Sequence, residues 1–316
     1  LISLALLATP KHTMDLQQLR QQLQLYITLL GEAPYSDTAR LAETDAETII
    51  EYGLEHEFLI RVAHPLGDVV TTDPKTALQM AYVRNNSLHL FILPGLICSL
   101  FLNARSISLD VLQSMIALLY PFFRNEYFLH WREDQDLTAA VERIATVLED
   151  HGLVNREGDC LHGAAIHTHA SDMLAHLGQT VMPSLERYYL TIRLLVQYGD
   201  GRLTADQLGD LAHHTAQRLS LLYEFNSPEF FDKVVLRNFI RQLLDTELVW
   251  LDDDQLHFGD NLRALDDEAR RILSPDISQA IQRVTRVPQL EEALARTAEE
   301  EQSADANPAK GTEAGK

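Results

Sequence analysis

The chain has 316 residues, of which 46% are hydrophobic, so it is long enough for two domains and can bury a sizeable core. Its 26 Lys and Arg against 46 Asp and Glu give a formal net charge of −20, which opposes nucleic acid as a partner because phosphate binding needs basic surface. The same charge opposes simple electrostatic docking on anionic lipid. Two cysteines, Cys98 and Cys160, without a CxxC spacing, indicate a reducing compartment and no disulfide framework.

The first elements alternate between amphipathic helix and short strand. The sequence begins at Leu1 without Met or a basic segment, and we interpret it as truncated, starting inside a helix of a larger protein. Residues 15–30 carry apolar side chains at spacings of three and four, which predicts a helix. A capping box beginning at Thr44 predicts a second helix, followed by strands over 58–63 and 69–72.

The most apolar stretch of the chain is residues 82–97. Asp73 and Pro74 provide an N-cap and a first-turn proline, so a helix should start there, direct Leu78, Tyr82 and Asn85 to one side, and run into the apolar residues 88–102. The apolar run is shorter than the roughly 20 residues of a membrane span.

Four polar side chains stand at the entrance of this stretch: Arg84, Asn85, Asn86 and His89. An unpaired polar group costs about 1–3 kcal/mol when buried. They therefore either bond to neighbouring elements of a buried core helix, or hold something that is not protein.

The second half of the sequence repeats one pattern of helix, apolar strand, charged turn and return strand. Ser108 should cap a helix that ends near Pro121, and the aromatic residues that follow should be core: Tyr120, Phe122, Phe123, Tyr127, Phe128 and Trp131. The pattern predicts a mainly α fold with small β-hairpins in winged-helix-like helix-hairpin units. The predicted regions are 1–135, 136–274 and a weakly structured to disordered acidic tail over 275–316.

Three stretches resemble one known family, in the same order along the chain. They are "YVRNNSLHLFILPGLI" (82–97), "LYPFFRNEYFLHW" (119–131) and "QRLSLLYEFNSPEFFDK" (217–233). Together they resemble the C-terminal region of the membrane-bound glycerol-3-phosphate 1-O-acyltransferases, the large bacterial type related to the mitochondrial enzyme. The resemblance extends to about Ser274.

This resemblance implies transfer of an acyl group from acyl-CoA or acyl carrier protein to the sn-1 hydroxyl of glycerol-3-phosphate, in phospholipid synthesis. The family uses a His-x4-Asp motif, whose His acts as general base. That catalytic domain should lie upstream of Leu1, so this chain alone should be inactive. The parent should sit peripherally at the cytoplasmic face of the bacterial inner membrane, and no cofactor is implied. Arg84, Asn85, Asn86 and His89 would then stabilise a contact with the catalytic domain or border the acyl-donor site.

One literal His-x4-Asp match occurs, at His167 and Asp172. We interpret it as a chance match, because it follows the apolar stretch, whereas the family motif precedes it, and because it sits in a Gly/Ala/His-rich loop. A metal site is the other reading of this neighbourhood, but the spacing fits no familiar zinc pattern, so we expect no metal; the residues are Cys160, His162, His167, His169 and His176.

A second function stays open: a non-enzymatic helical interaction module with winged-helix-like units. The net charge argues against the usual nucleic-acid role of such units. The coding sequence upstream of Leu1 discriminates the two functions, since an in-frame His-x4-Asp block there favours the enzyme.

Overall fold

The computed structural model describes residues 1–9, 11–36, 38–39, 43–131, 134–222 and 228–285. The chain divides into two compact units, Leu1–Leu185 and Glu186–Lys316. Within the described residues it is mainly helical with small antiparallel sheets, which confirms the predicted fold class.

One motif of helix, strand, helix, helix, hairpin and helix occurs three times in the described residues. Repeat A contains α1 (Ile2–Leu7), β1 (Thr13–Asp15), α2 (Leu16–Glu32), α3 (Ala46–Glu55), β2 (Ile60–Val62), β3 (Val69–Thr71) and α4 (Pro74–Leu88). Repeat B contains α5 (Ile92–Ser99), β4 (Ser106–Ser108), α6 (Leu109–Tyr127), α7 (Asp134–Asp150), β5 (Val154–Glu157), β6 (Cys160–Gly163) and α8 (His169–Gln179).

Repeat C follows the same order with one strand reduced to a short extended segment. It contains α9 (Met182–Tyr198), α10 (Ala205–Leu222), a 3-10 turn (Pro228–Phe231), α11 (Lys233–Asp245), β7 (Val249–Asp252), β8 (Gln255–Phe258) and α12 (Asp260–Ile272). The N–H of Gly201 donates to Leu256 O at 3.0 Å, and the N–H of Leu256 donates to Leu203 O at 2.8 Å. Residues 201–203 thus take the place that β1 and β4 hold in the other repeats. A last helix, α13 (Pro275–Val284), follows.

The sheets have the strand order of a winged helix. In repeat A the order is β1-β3-β2, and in repeat B it is β4-β6-β5, all antiparallel. In each case the first strand pairs with the second strand of the hairpin, and the hairpin forms the wing. The predicted helix-hairpin pattern is therefore part of a larger repeating unit.

Each hairpin is entered through a left-handed residue two positions after the third helix of its repeat. These residues are Glu57 (φ 58°), Gly152 (φ 71°) and Glu247 (φ 57°), evenly spaced along the chain. Only Gly152 adopts this conformation without the steric cost that a Cβ brings. The shared geometry at these positions supports a common structural plan.

Repeat B is held together by a close contact of its first and last helices. A Cβ on Gly95 of α5 would lie 2.8 Å from Thr180 Oγ1, and one on Gly178 of α8 would lie 2.9 Å from Ser99 N. Gly178 faces the backbone of α5 and Gly95 faces the side chains of Thr180 and Val181, so the helices approach closely. Apolar α5 is buried along its whole length.

Several predicted boundaries were wrong. The helix predicted from Pro74 into residues 88–102 is two helices, because a turn over residues 89–91 separates α4 from α5. The helix after Ser108 continues past Pro121 to Tyr127, since the single lost backbone hydrogen bond is offset by burial of Phe122 and Phe123.

Two further corrections concern caps and the C-terminal region. Asp45, and not Thr44, caps α3, because its carboxylate accepts the N–H of Thr48 at 2.8 Å. The region predicted as weakly structured from residue 275 begins with α13, capped by Ser274 and burying Ile281. The acidic tail over residues 286–316 lies outside the described residues.

Candidate functional site

Helix α4 begins at the predicted place and has a well-defined inner side. Asp73 Oδ1 accepts the N–H groups of Lys75 at 2.9 Å and Thr76 at 3.1 Å, and Pro74 occupies the first turn. Its buried side chains are Ala77, Met80, Ala81 and Leu88. These small and medium apolar groups fix which side of α4 faces the body of repeat A.

The opposite side of α4 is apolar as well, and it is open. Leu78 is 63% exposed, Tyr82 77% and Val83 54%. Asn85 and Asn86 extend the same side by one turn and are also exposed. Leu78, Tyr82 and Asn85 thus share one side of the helix, as predicted, and that side is the exposed one. We call these five residues the α4 outer face.

The outer face differs in composition from the rest of this acidic protein. Helix α4 contains no Asp or Glu, although the whole chain carries 46 of them. Single exposed apolar residues are ordinary, but several on one helix side without carboxylates mark an interaction surface. The α4 outer face is the surface of this kind that contains the residues singled out from the sequence.

Arg84 lies at the edge of the outer face and is half-buried. Its Nε and Nη2 atoms donate to Asn85 Oδ1 at 3.4 and 3.3 Å. Burial, and then the charge of Arg84, lower the pKa of His12. The guanidinium therefore lies near the residue that precedes β1, within repeat A.

His89 packs against an aromatic residue from a distant part of the sequence. Its ring meets Tyr35 edge-on, with centroids 5.2 Å apart and planes at 83°. The Tyr35 ring also meets Trp131 and His130, with centroids 5.0 and 4.3 Å away. The N–H of His130 donates to Tyr35 Oη at 3.1 Å. We call Tyr35, His89, His130 and Trp131 the aromatic cluster.

Burial favours the neutral form of both imidazoles of the aromatic cluster. Burial lowers the pKa of His89, and a hydrogen bond to the Asn86 carbonyl opposes this only in part. Burial also lowers the pKa of His130, against the smaller effect of Asp136. The cluster thus extends the uncharged character of the α4 outer face to the end of α6.

Phe128 stands beside the aromatic cluster in sequence and departs from the prediction. The other aromatic residues of this stretch include core residues, Tyr120, Phe122 and Phe123, which are at most 2% exposed. Phe128 instead is 89% exposed and adopts a left-handed conformation at φ 55° as the C-cap of α6. Its assignment to the core was wrong, because the αL cap turns the chain and leaves the ring outside.

The His-x4-Asp match lies on the surface. His167 (φ 64°) precedes α8, whose N-cap is Thr168, and Asp172 lies in the first turn of the helix. The loop expected there ends at Thr168, and both His167 and Asp172 are exposed. Among the described residues, no group of three or more His, Cys, Asp and Glu is arranged to hold a metal ion.

Sequence reasoning found His89 but missed its partner Tyr35. The two residues are far apart in the chain, and Tyr35 follows α2 in a loop without periodicity. Only the three-dimensional packing brings it between α4 and the end of α6. Across the described part of the chain, every helix is too short or too polar to cross a membrane.

Comparisons with known proteins place the chain beside one enzyme family. The model of the family described as glycerol-3-phosphate acyltransferase C-terminal region matches residues 1–252. A relative named glycerol-3-phosphate acyltransferase from Xanthomonas campestris is 38% identical over 289 residues, 90% of this chain and 33% of the relative.

Relatives with the same name from other bacteria show similar identity and coverage. The protein from Pseudomonas paraeruginosa is 36% identical over 94% of this chain and 36% of its own length. The protein from Xylella fastidiosa is 37% identical over 90% of this chain and 34% of its own length. The chain spans about a third of the curated relatives that it matches.

Proposed function

Because the chain belongs to the glycerol-3-phosphate acyltransferase C-terminal region family, we propose that it is the C-terminal domain of an enzyme that acylates the sn-1 hydroxyl of glycerol-3-phosphate. The acyl donor is a thioester of coenzyme A or acyl carrier protein, and the reaction belongs to phospholipid synthesis. The names of the relatives support the substrate. No cofactor is needed for this transfer.

The acyl-transfer chemistry belongs to a catalytic domain outside this chain. A general base must lie within hydrogen-bond reach of the hydroxyl that it deprotonates and be oriented by a third group. His167 and Asp172 are both exposed at the start of α8, which supports the chance-match interpretation. The isolated chain should therefore be inactive.

The single observation that carries the domain role is the α4 outer face. Its three exposed apolar side chains and two amides have the composition of the centre of a protein interface, where charged residues are depleted. The relatives are about three times as long as the match, so a large part of such an enzyme is free to cover this face. Arg84 and His89, at its edges, either stabilise that contact or border the acyl-donor site.

The enzyme would work peripherally at the cytoplasmic face of the bacterial inner membrane. The net charge of −20 opposes attachment of this domain to anionic lipid by charge alone. Membrane association would then come from the rest of the full-length protein.

The test compares the purified chain with the product of the whole reading frame that contains it, in an acyltransferase assay with glycerol-3-phosphate and acyl-CoA. We expect turnover from the full product only. In that product, Tyr82→Glu should lower turnover at least tenfold, because it places a charge in a dry interface. The matched control is Leu66→Glu, a substitution at a residue that is 90% exposed in the β2–β3 turn.

The edge residues need a separate measurement. Arg84→Ala and His89→Ala are introduced into the full product, and the KM for acyl-CoA, kcat and thermal stability are determined. A higher KM with unchanged stability indicates that the residues border the donor site, and lower stability indicates a domain contact. Unchanged values for both variants would show that neither residue has the proposed role.

The alternative is a non-enzymatic interaction module, and the repeated winged-helix topology favours it. The net charge opposes the usual nucleic-acid role of such modules. The exposed carboxylates of Glu51 and Glu55 on α3, the third helix of repeat A, oppose it as well, because they would repel phosphate. An inactive full product, or a reading frame with no segment before this chain, would favour the module.

A further inference from the structure

Phe128 combines two unfavourable features at one residue. A bulky residue with a left-handed backbone costs about 1–2 kcal/mol relative to the right-handed conformation. Its ring is also 89% exposed, so it gains almost nothing from burial within the described structure. A helix that only needed to end at this point would be better served by glycine.

The segment around Phe128 is firmly held, so its exposure follows from a fixed position. The N–H of Phe128 donates to Arg124 O, and the N–H of Leu129 donates to Arg124 O at 3.1 Å. On one side Tyr127 Oη lies 2.9 Å from Ser184 Oγ, and on the other side Leu129 is only 4% exposed. Flanked by two anchored residues, the Phe128 ring is presented by a rigid turn.

This turn is continuous with the aromatic cluster and, through it, with the α4 outer face. The aromatic cluster begins two residues after Phe128, at His130. His130 and Trp131 contact Tyr35, which in turn contacts His89. His89 directly follows α4, whose outer face is open. The aromatic cluster therefore connects two exposed apolar features, the Phe128 ring and the α4 outer face.

We propose that Phe128 is an aromatic anchor that enters an apolar pocket in the part of the acyltransferase that this chain lacks, and that the aromatic cluster and α4 outer face form the surrounding contact. The inference rests on the proposed function, because its occupant is the remainder of that enzyme. The supporting observation is length: the matched relatives extend over about three times the matched region.

Such an anchor explains why the costs at Phe128 are tolerated. Interface energy is concentrated in a few large, rigid side chains that fill pockets, and aromatic residues are enriched among them. A ring held by a fixed αL turn loses little conformational freedom on docking, which favours binding. The strain is present in the isolated domain and is compensated only when the pocket encloses the ring.

The test uses Phe128→Gly in two settings, the isolated chain and the product of the whole reading frame. In the isolated chain glycine relieves the αL strain, so the melting temperature should rise by about 2 °C. In the full product the same substitution should lower the melting temperature and reduce acyl transfer at least tenfold. Phe128→Leu, which keeps an apolar side chain, should retain more activity than Phe128→Gly.

The matched control is Glu57→Gly, at another left-handed, exposed residue after a helix. It should raise the melting temperature in both settings and leave acyl transfer unchanged. If Phe128→Gly behaves like Glu57→Gly in the full product, the anchor is refuted. The remainder of the acyltransferase is refuted as the binding partner if the reading frame encodes nothing beyond this chain. It is also refuted if the isolated chain forms a dimer that Phe128→Gly dissociates.

The two proposals fail in different ways. An inactive wild-type full product overturns the acyltransferase assignment. Even then, Phe128→Gly should raise the melting temperature of the isolated chain and lower that of the full product if Phe128 is docked. An active wild-type product that tolerates Phe128→Gly without loss overturns only the anchor.

Discussion

Gly178 of α8 lies directly against the backbone of Ser99 in α5: a Cβ at Gly178 would be 2.9 Å from the Ser99 nitrogen and 3.0 Å from its Cα. Backbone atoms cannot move aside as a flexible side chain can, so α8 would have to shift. Gly178→Ala should therefore lower the free energy of unfolding by about 1–3 kcal/mol, the usual cost of overpacking.

The matched control for this prediction is Gly31→Ala near the end of α2, where a Cβ meets nothing within 4 Å. That change should be neutral or stabilising by about 0.5–1 kcal/mol, because alanine loses less backbone entropy in a helix. Urea denaturation of both variants measures the contrast. Equal effects would mean that the α5–α8 contact is looser than described.

The left-handed residues after the third helices predict opposite effects in two repeats. Glu247→Gly should stabilise the chain by about 0.5–1 kcal/mol, because glycine adopts φ 57° without strain. Gly152→Ala should destabilise it by about 1 kcal/mol, because its φ of 71° places a Cβ in a strained conformation. Thermal unfolding measures both. The same sign for the two substitutions would contradict a shared αL position.

Acid should destabilise the chain through His176. Burial lowers the pKa of this imidazole to about 4, and its Nε2 is buried without a hydrogen-bond partner. Since the unfolded state takes up the proton first, stability should fall between about pH 6.5 and pH 4, by about 2–3 kcal/mol. His176→Gln should remove this part of the pH dependence.

The control on the same helix is His169→Gln, at an exposed residue in the first turn of α8. It should leave the acid limb of the stability curve unchanged. Chemical denaturation between pH 4 and pH 7 measures the slopes of all three proteins. A wild-type slope that survives in His176→Gln would place the titrating group elsewhere.

Glu186 should act in the opposite direction at higher pH. Burial raises the pKa of its carboxyl group to about 8, so the folded state holds the proton after the unfolded state has released it. Stability should then fall as pH rises from about 4.5 to 8, by about 4 kcal/mol. Glu186→Gln should abolish that fall and unfold at a higher temperature than wild type at pH 8.5.

Exposed Glu55→Gln is the control for Glu186→Gln and should follow the wild-type curve. At pH 4.5 all three proteins should have similar stability, since the carboxyl group of Glu186 is then neutral in the folded state. A Glu186→Gln curve parallel to wild type across this range would show that the carboxylate is accommodated in its charged form.

The sequence predicted elements where a single physical signal dominates. Helix α2 was found because one side of it is apolar, and the helix-hairpin pattern of the second half because charged turns separate its apolar strands. Asp73 and Ser108 cap α4 and α6 as predicted. These signals act within a few residues of chain.

The candidate surface could not be predicted in the same way. Helix α4 has apolar residues on both sides, so periodicity did not reveal that Ala77 and Met80 are buried while Leu78 and Tyr82 are exposed. The contact of His89 with Tyr35 joins distant parts of the chain, and the exposure of Phe128 depends on the αL end of α6. These three features depend on packing between residues that are distant in sequence, which local sequence patterns do not predict.

If the rest of an acyltransferase covers the α4 outer face, the amides of α4 should be protected from exchange in the full-length protein. Amide hydrogen exchange measures this most directly, when the isolated chain is compared with the product of the whole reading frame. We expect peptides covering residues 76–90 and 124–131 to exchange more slowly in the full product, while the β2–β3 turn at Leu66 is unchanged. Equal exchange of residues 76–90 in the two proteins would contradict it.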